Sequence, residues 1–242
     1  MKKTLLILTL VISYQMAIGQ AWTDIGIKVG YGMSLLNNKN LFNDNQYVHE
    51  VNGAYSFGAK AGVNIGEFNS ITFDIGISKL KQNFNYTVGV NDDAVEHQNN
   101  INWTNLDMYF MYRNTRSSAY LELGPMLSTI KKVEQSDTGA NFSNQDVTEF
   151  YSEKYLSAVI GFGGYVFGSD RFTMIMGLRA HYAFQDMIGE KGQAANYPAT
   201  FGADQFPTYS KSNPIFIQAV MEFNFGLGFF AKTACSGRLH WF

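Results

Sequence analysis

The chain has 242 residues, a formal net charge of −2 and a single Cys. One Cys excludes a disulfide framework and a Cys-rich zinc site, and the near-neutral charge leaves no footprint for nucleic acid. Charged residues make up only 16%, aromatics reach 15%, and Gly (23) far outnumbers Pro (4). This is the composition of a β-protein with few helix-favouring charges.

Met1 is followed by Lys2 and Lys3, then by an apolar run over residues 4–12, and small residues Ala17 and Gly19 stand directly before Gln20. That order is a basic n-region, an h-region and a small-x-small cleavage signal. Cleavage is expected between Gly19 and Gln20. The run is too short for a spanning helix, and Ser13, Tyr14 and Gln15 interrupt it. The expected organisation is a signal peptide over 1–19, a barrel over 20–230 and a periplasmic tail over 231–242.

The next segment alternates cleanly. Ile25, Ile27, Val29, Tyr31, Met33 and Leu35 share one parity, against Asp24, Gly26, Lys28, Gly30, Gly32 and Ser34. A period of two predicts a strand with one apolar face. The second strand sets Tyr55, Phe57, Ala59, Ala61, Val63 and Ile65 against a face that carries Lys60. The third sets Ile71, Phe73, Ile75 and Ile77 against Asp74. Beyond it, Phe84 and Tyr86 fall on the opposite phase, which reads as a bulge or as strand beyond the membrane.

The fourth strand sets Leu106, Met108, Phe110 and Tyr112 against Asp107, Tyr109, Met111 and Arg113. The fifth sets Ala119, Leu121, Leu123 and Leu127 against Tyr120, Glu122, Gly124 and Ser128, with Pro125 awkward for a ladder. The sixth carries Leu156, Ala158, Ile160 and Phe162. The seventh sets Phe172, Met174, Met176, Leu178, Ala180 and Tyr182 against Arg179 and His181. The eighth sets Ile217, Ala219, Met221, Phe223 and Phe225 against Gln218, Glu222 and Asn224.

The connections alternate in length. Residues 66–69, 114–117 and 168–170 are tight turns, whereas 36–53, 87–100, 131–154 and 185–213 are long and polar. Short turns on one side and long loops on the other are the pattern of an outer-membrane barrel, with both chain ends on the periplasmic side. The predicted fold is therefore all-β: an eight-stranded antiparallel up-and-down transmembrane β-barrel.

The faces set the polarity. The apolar face is large and nearly charge-free, more than a small closed barrel could hold inside. The other face carries Asp24, Lys28, Lys60, Asp74, Asp107, Arg113, Glu122, Arg179 and Glu222 among glycines. A Lys or Arg facing lipid at mid-depth would cost about 2–4 kcal/mol, so this face is assigned to the lumen. In a soluble lipocalin-like barrel the same face would meet solvent and carry denser charge. Eight strands leave an interior that side chains fill, and unpaired buried charges are expensive. The nine charged residues are thus expected to form a lumen ion-pair network, which argues against a general porin. Closure of the turn over 114–117 would set Tyr109 across from Glu122. Arg179 would need Glu122, Asp107 or Asp74.

No catalytic or cofactor motif emerges. His49 and His97 fall in long loops, His181 in the lumen and His240 in the tail, and no pair has metal-ligand spacing. The acidic stretch 91–97 lacks the ligand spacing of a calcium loop. The best catalytic trio, His181 with Asp186 and Ser210, is not required by spacing to converge. Phe42, Tyr47, Phe142, Phe150, Tyr151, Tyr197, Phe201, Phe206 and Tyr209 either pack the loops together or form a recognition surface. Cys235 reads as a free thiol, and Phe242, Phe229 or Phe230 as an aromatic end shown to the barrel assembly machinery.

The amphipathic stretch 106–113, Tyr120-Leu-Glu-Leu-Gly-Pro125, Gly161-Phe-Gly-Gly-Tyr165 and Gly177-Leu-Arg-Ala-His-Tyr182 together resemble the small outer-membrane β-barrels abundant in Bacteroidota, the PorT-like family. The resemblance spans nearly the whole mature chain. It implies a barrel in outer-membrane lipid and an accessory role beside a secretion or gliding apparatus, and it supplies no catalytic residue. The expected function is non-enzymatic: anchoring, surface interaction through the long loops, or secretion-accessory work. A narrow porin-like channel is the alternative, and a barrel enzyme a more distant one.

Overall fold

The computed structural model describes residues 21–45, 47–66, 68–88, 95–169, 172–198 and 208–227. The expected cleavage site at Gly19 and Gln20, most of the acidic stretch 91–97, Phe201, Phe206, Cys235 and the tail lie outside them. Ten strands run in chain order: β1 (Ala21–Asn38), β2 (Tyr47–Glu50), β3 (Asn52–Ile65), β4 (Asn69–Val88), β5 (Val95–Arg116), β6 (Ala119–Asp137), β7 (Phe142–Asp146), β8 (Lys154–Gly168), β9 (Phe172–Ala183) and β10 (Ser212–Leu227). Two one-turn helices, α1 (Lys39–Asn43) and α2 (Glu190–Ala194), lie in connections.

Eight of the ten strands close a ring. β1 pairs with β3, then β4, β5, β6, β8, β9 and β10 follow as antiparallel neighbours, and β10 returns to β1. The closing pair is long, from Thr23 opposite Leu227 to Asn38 opposite Ser212. Closure leaves the ring no open edge. The fold is an eight-stranded antiparallel up-and-down β-barrel.

The period-two pattern decides what faces where. Ile27 (47% exposed), Phe73 (48%), Phe110 (57%) and Met176 (43%) stand on the outer wall, whereas Lys60 (5%) and Arg179 (1%) are buried in the lumen. A soluble barrel would show the reverse. The outward apolar run from Ile25 to Leu35 covers ten residue steps. At a rise near 3.3 Å and a tilt near 40°, that is about 25 Å of height, the thickness of the apolar band of membrane barrels. The wall is that of a membrane-spanning barrel.

Its two ends differ. At the lower end, β5 and β6 are joined through Ser117 and Ser118, with Ser117 in the left-handed region at φ 54°. Such a turn matches the twist of the flanking strands. At the upper end β4, β5 and β6 overrun the wall. β2 adds to β4, with Tyr47 opposite Tyr86, and β7 adds to β6, with Glu134 opposite Asp146. The result is a five-stranded sheet, β2–β4–β5–β6–β7, standing above the barrel.

Three expectations are corrected here. The stretches 87–100 and 131–154 are not loops throughout, since β5 begins at Val95 and β6 continues to Asp137. Polar residues on their outward face hide strand character when the outward solvent is water. Secondly, of the two readings of Phe84, the bulge is not seen and the strand instead continues beyond the apolar wall. Asp74, Ser78, Leu80, Phe84 and Tyr86 are all buried on one phase. The phase stays constant, and the character of the inward residues changes from charged to apolar. The bulge lies in β6, where Thr104 opposes Lys132 and Asn105 opposes Ile130, leaving Lys131 as the extra residue. Thirdly, the β5–β6 turn is tighter than 114–117. Arg113 therefore opposes Glu122, and Tyr109 opposes Met126.

Candidate functional site

The lumen has two layers. The lower layer is ionic. Asp24 and Lys28 come from β1, Lys60 from β3, Asp74 from β4, Arg113 from β5, Glu122 from β6, Arg179 from β9 and Glu222 from β10. Alternation along each strand delivers these residues to one hollow. β8 alone among the barrel strands brings no charge. It brings Gly161, where a Cβ would stand 2.6 Å from Glu122 Oε1 and 3.0 Å from Arg179 Cγ. The absence of a side chain there is what lets that pair cross the barrel.

Glu222 is the hub. Its carboxylate reaches Lys28 Nζ at 3.0 Å, Lys60 Nζ at 3.4 Å, Arg113 Nη2 at 2.8 Å and Arg179 Nη2 at 3.6 Å. Arg113 also donates from Nη2 to Glu122 at 2.7 Å. Arg179 donates from Nη1 to Asp74 at 3.0 Å and from Nε to Glu122. Lys28 donates to Asp74, and Lys60 lies 3.7 Å from Asp24. The Arg113 guanidinium sits 4.2 Å over the Tyr120 ring, and that of Arg179 sits 5.4 Å from the Tyr109 ring centre. Four acids thus meet four bases, all buried. Planar guanidiniums bridging several carboxylates suit such a buried site.

Asp107 is the exception to the nine-residue network. It stands above the ionic layer, accepts from Ser128 Oγ at 2.6 Å, and has no basic side chain within ion-pair distance among the described residues. The reason is its place on β5. Asp107 and Arg113 share a strand, three inward positions apart, so the guanidiniums gather well below it. Around Asp107 lies a neutral polar tier: Asn105 Nδ2 donates to Tyr155 Oη at 2.9 Å, and Gln218 Nε2 lies 3.0 Å from His181 Nε2. A small cavity where this tier meets the apolar residues above it is lined by Ser78, Asn105, Asp107, Tyr155, Ser157 and His181 together with Leu80, Met126, Pro214 and Phe216.

Above that tier the interior becomes predominantly apolar, with Gln82, Asn99, Gln135 and Asp137 buried within it. Leu80, Phe84, Ile101, Trp103, Ile130 and Val133 from the overrunning strands are buried against one another. Leu41, Tyr47, Val147, Tyr151, Met187, Ile188 and Tyr197 close over them from the connections. Among the loop aromatics, Tyr47, Tyr151 and Tyr197 are therefore buried, and Phe150 and Tyr209 pack against the same cluster. Phe150 stacks on Tyr197 at 4.4 Å, while Phe42 remains half exposed and stacks on His49 at 4.0 Å. Asn38 caps α1 by accepting from Asn40 N at 3.0 Å and Leu41 N at 3.3 Å, which seats Leu41 in the cluster. Near the top, Tyr86 donates to Asp137 Oδ1 at 2.7 Å, and burial together with that bond raises its phenol above the usual range.

The residues weighed for catalysis are not brought together. His181 contacts Met126 Sδ at 3.3 Å and Gln218. Asp186 instead accepts from Tyr209 Oη at 2.6 Å and from the backbone of Ile188 and Ser212 at 3.0 Å, holding the upper connection in place. No group of three or more His, Cys, Asp or Glu able to hold a metal occurs among the described residues. The apolar cap was missed by alternation alone, although Leu80, Phe84 and Tyr86 continue the phase of Asp74.

The chain matches no protein-family model and no curated protein. Its fold is similar to that of neisserial surface protein A, at 10% identity and TM-score 0.43, over 82% of this chain and 95% of that one. It is also similar to the attachment invasion locus protein Ail of Yersinia pestis, at 11% identity and TM-score 0.38, over 84% and 99%. A third likeness is to the outer membrane protein OprG of Pseudomonas aeruginosa, at 10% identity and TM-score 0.35, over 86% and 96%. These are likenesses of architecture at distant sequence.

Proposed function

We propose that the protein is a non-enzymatic bacterial outer-membrane barrel that anchors a rigid head at the cell surface. The observation that carries this reading is the doubly closed lumen: a balanced ionic layer below and a packed apolar cap above. A filled interior suits an anchor better than a pore. In this reading the long-strand end faces outward and the short turns and chain ends face the periplasm, as in barrels with short periplasmic turns. The barrel assembly machinery inserts it, outer-membrane lipid surrounds it, and the head meets a surface or secretion partner. The secretion-accessory role rests on the PorT-like resemblance of stretches such as Gly177-Leu-Arg-Ala-His-Tyr182.

Conductance in planar bilayers tests the reading. Purified protein is expected to give no steady single-channel current at either polarity. A reproducible ohmic current would overturn the closed lumen and favour a narrow solute channel.

A further inference from the structure

Resting on that orientation, we propose that one flank of the barrel, across β4, β5, β6 and β8, binds the phosphorylated headgroup of an outer-leaflet lipid. The basis for this is a band of five lysines. Lys79 and Lys81 project from β4, Lys131 and Lys132 from β6, and Lys154 from β8, all partly or fully exposed. They are every lysine on the outer wall of a barrel strand among the described residues.

Register aligns them. Lys79 lies opposite Thr104, and Thr104 opposite Lys132, so two ammonium groups flank one hydroxyl across about 10 Å, two strand spacings. The bulge adds Lys131 beside them, and Lys154 opposes Thr129 one row lower. Directly below run Ile77, Leu106, Leu127 and Leu156, a wall for acyl chains. Cations immediately above an apolar belt lie at headgroup depth.

Two of the five have acidic neighbours: Lys132 with Glu134 at 2.7 Å and Lys154 with Glu153 at 3.4 Å. Both pairs are solvent-exposed, and such surface pairs are weak beside a charge-assisted bond to phosphate. Lys79, Lys81 and Lys131 form no ion pair among the described residues. The same height on the opposite flank is uncharged, with Met33 and Leu35 on β1, Tyr55 on β3, Tyr182 on β9 and Ile217 on β10. A net positive sector on a chain of net charge −2 is complementary to an anionic lipid, and its confinement to one flank points to a bound lipid rather than to a general coat.

Native mass spectrometry of the full chain in neutral detergent would test this. The probes are a bisphosphorylated acylated diglucosamine, its dephosphorylated counterpart and inorganic phosphate. Wild type is expected to retain the phosphorylated lipid about tenfold or more over the dephosphorylated one. The triple variant Lys79→Gln/Lys131→Gln/Lys132→Gln is expected to lose that preference. Equal retention of both lipids by wild type, or an unchanged preference in the triple variant, would overturn the proposal. So would displacement of the lipid by millimolar inorganic phosphate, which would mark a free-anion site. Should the triple variant not fold, Glu134→Gln is read instead. Freeing Lys132 is expected to raise the preference about twofold, and no rise would count against the site. None of these outcomes depends on conductance, so the anchor reading and the lipid site can fail separately.

Discussion

The lower and upper halves of this molecule share strands β4, β5 and β6 and solve opposite problems. Below, the wall faces hydrocarbon, so Ile25, Phe73 and Phe110 point out and Lys28, Arg113 and Glu222 point in. Above, the overrunning strands face water, so Lys79 and Asn102 point out while Leu80, Phe84 and Trp103 point in. β4 passes from one regime to the other without changing phase, and β6 does so through the bulge at Lys131. The external solvent decides which side chains each face can carry, and the polar tier of Ser78 and Asn105 around Asp107 is where the interior changes character.

The contrast can be broken most forcefully at the hub. Glu222→Ala would strip four buried cations of a shared partner, and breaking a buried pair leaves an uncompensated charge. A loss of about 3–5 kcal/mol is expected, read from urea unfolding in liposomes; a loss under about 1 kcal/mol would mean that the ionic layer does not hold the lower half together. In the upper half, Trp103→Ala removes the largest side chain of the cap. Its cost is of order 3 kcal/mol, but it should fall on the head. Limited proteolysis is expected to cut the head sooner while the wall stays protected, and simultaneous loss of both halves would deny their separation.

Reversing the wall itself is a third test. Phe110→Arg places a charge in the lipid-facing run and should cost about 2–4 kcal/mol, visible as reduced insertion into vesicles; full insertion would place Phe110 outside the hydrocarbon. The smallest effect is expected at Asp107. With no cation to lose, Asp107→Asn should shift stability by less than about 1 kcal/mol, unlike Asp74→Asn, which removes a ligand of Lys28 and Arg179. Equal losses from the two substitutions would show that Asp107 belongs to the network.

Much of the lower half was legible in the sequence, because lipid outside and a narrow hollow inside impose a period of two on every strand. That is how Lys60 and Arg179 could be assigned to the interior from parity alone. The register was not legible. Moving the β5–β6 turn shifted the partner of Glu122 from Tyr109 to Arg113, and loop length is set by turn geometry that Asn114, Thr115 and Ser117 do not specify. The upper half was hardest to read. There the outward residues are polar and the inward ones apolar, so Val95–Asn100 resembles a loop and Phe84 resembles a slipped phase. Tyr47, Tyr151 and Tyr197 gave a signal in their abundance, although nothing in their spacing announced a shared cluster.

The seam between the first and last strands has a consequence for biogenesis. Lys28 lies directly opposite Glu222 in that seam, and Glu222 also holds cations from β3, β5 and β9. Arg113 with Glu122, Lys60 with Asp24 and Arg179 with Glu222 are pairs that neighbouring strands could satisfy alone. Lys28 and Asp74, by contrast, find their partners on strands that are distant in the chain or emerge last. Hairpins released one by one into the bilayer would carry naked ions into oil, so the ring must be held as a precursor until β10 arrives. The final strand thereby acts as an energetic checkpoint, and a nascent chain truncated before Glu222 is one the membrane should refuse.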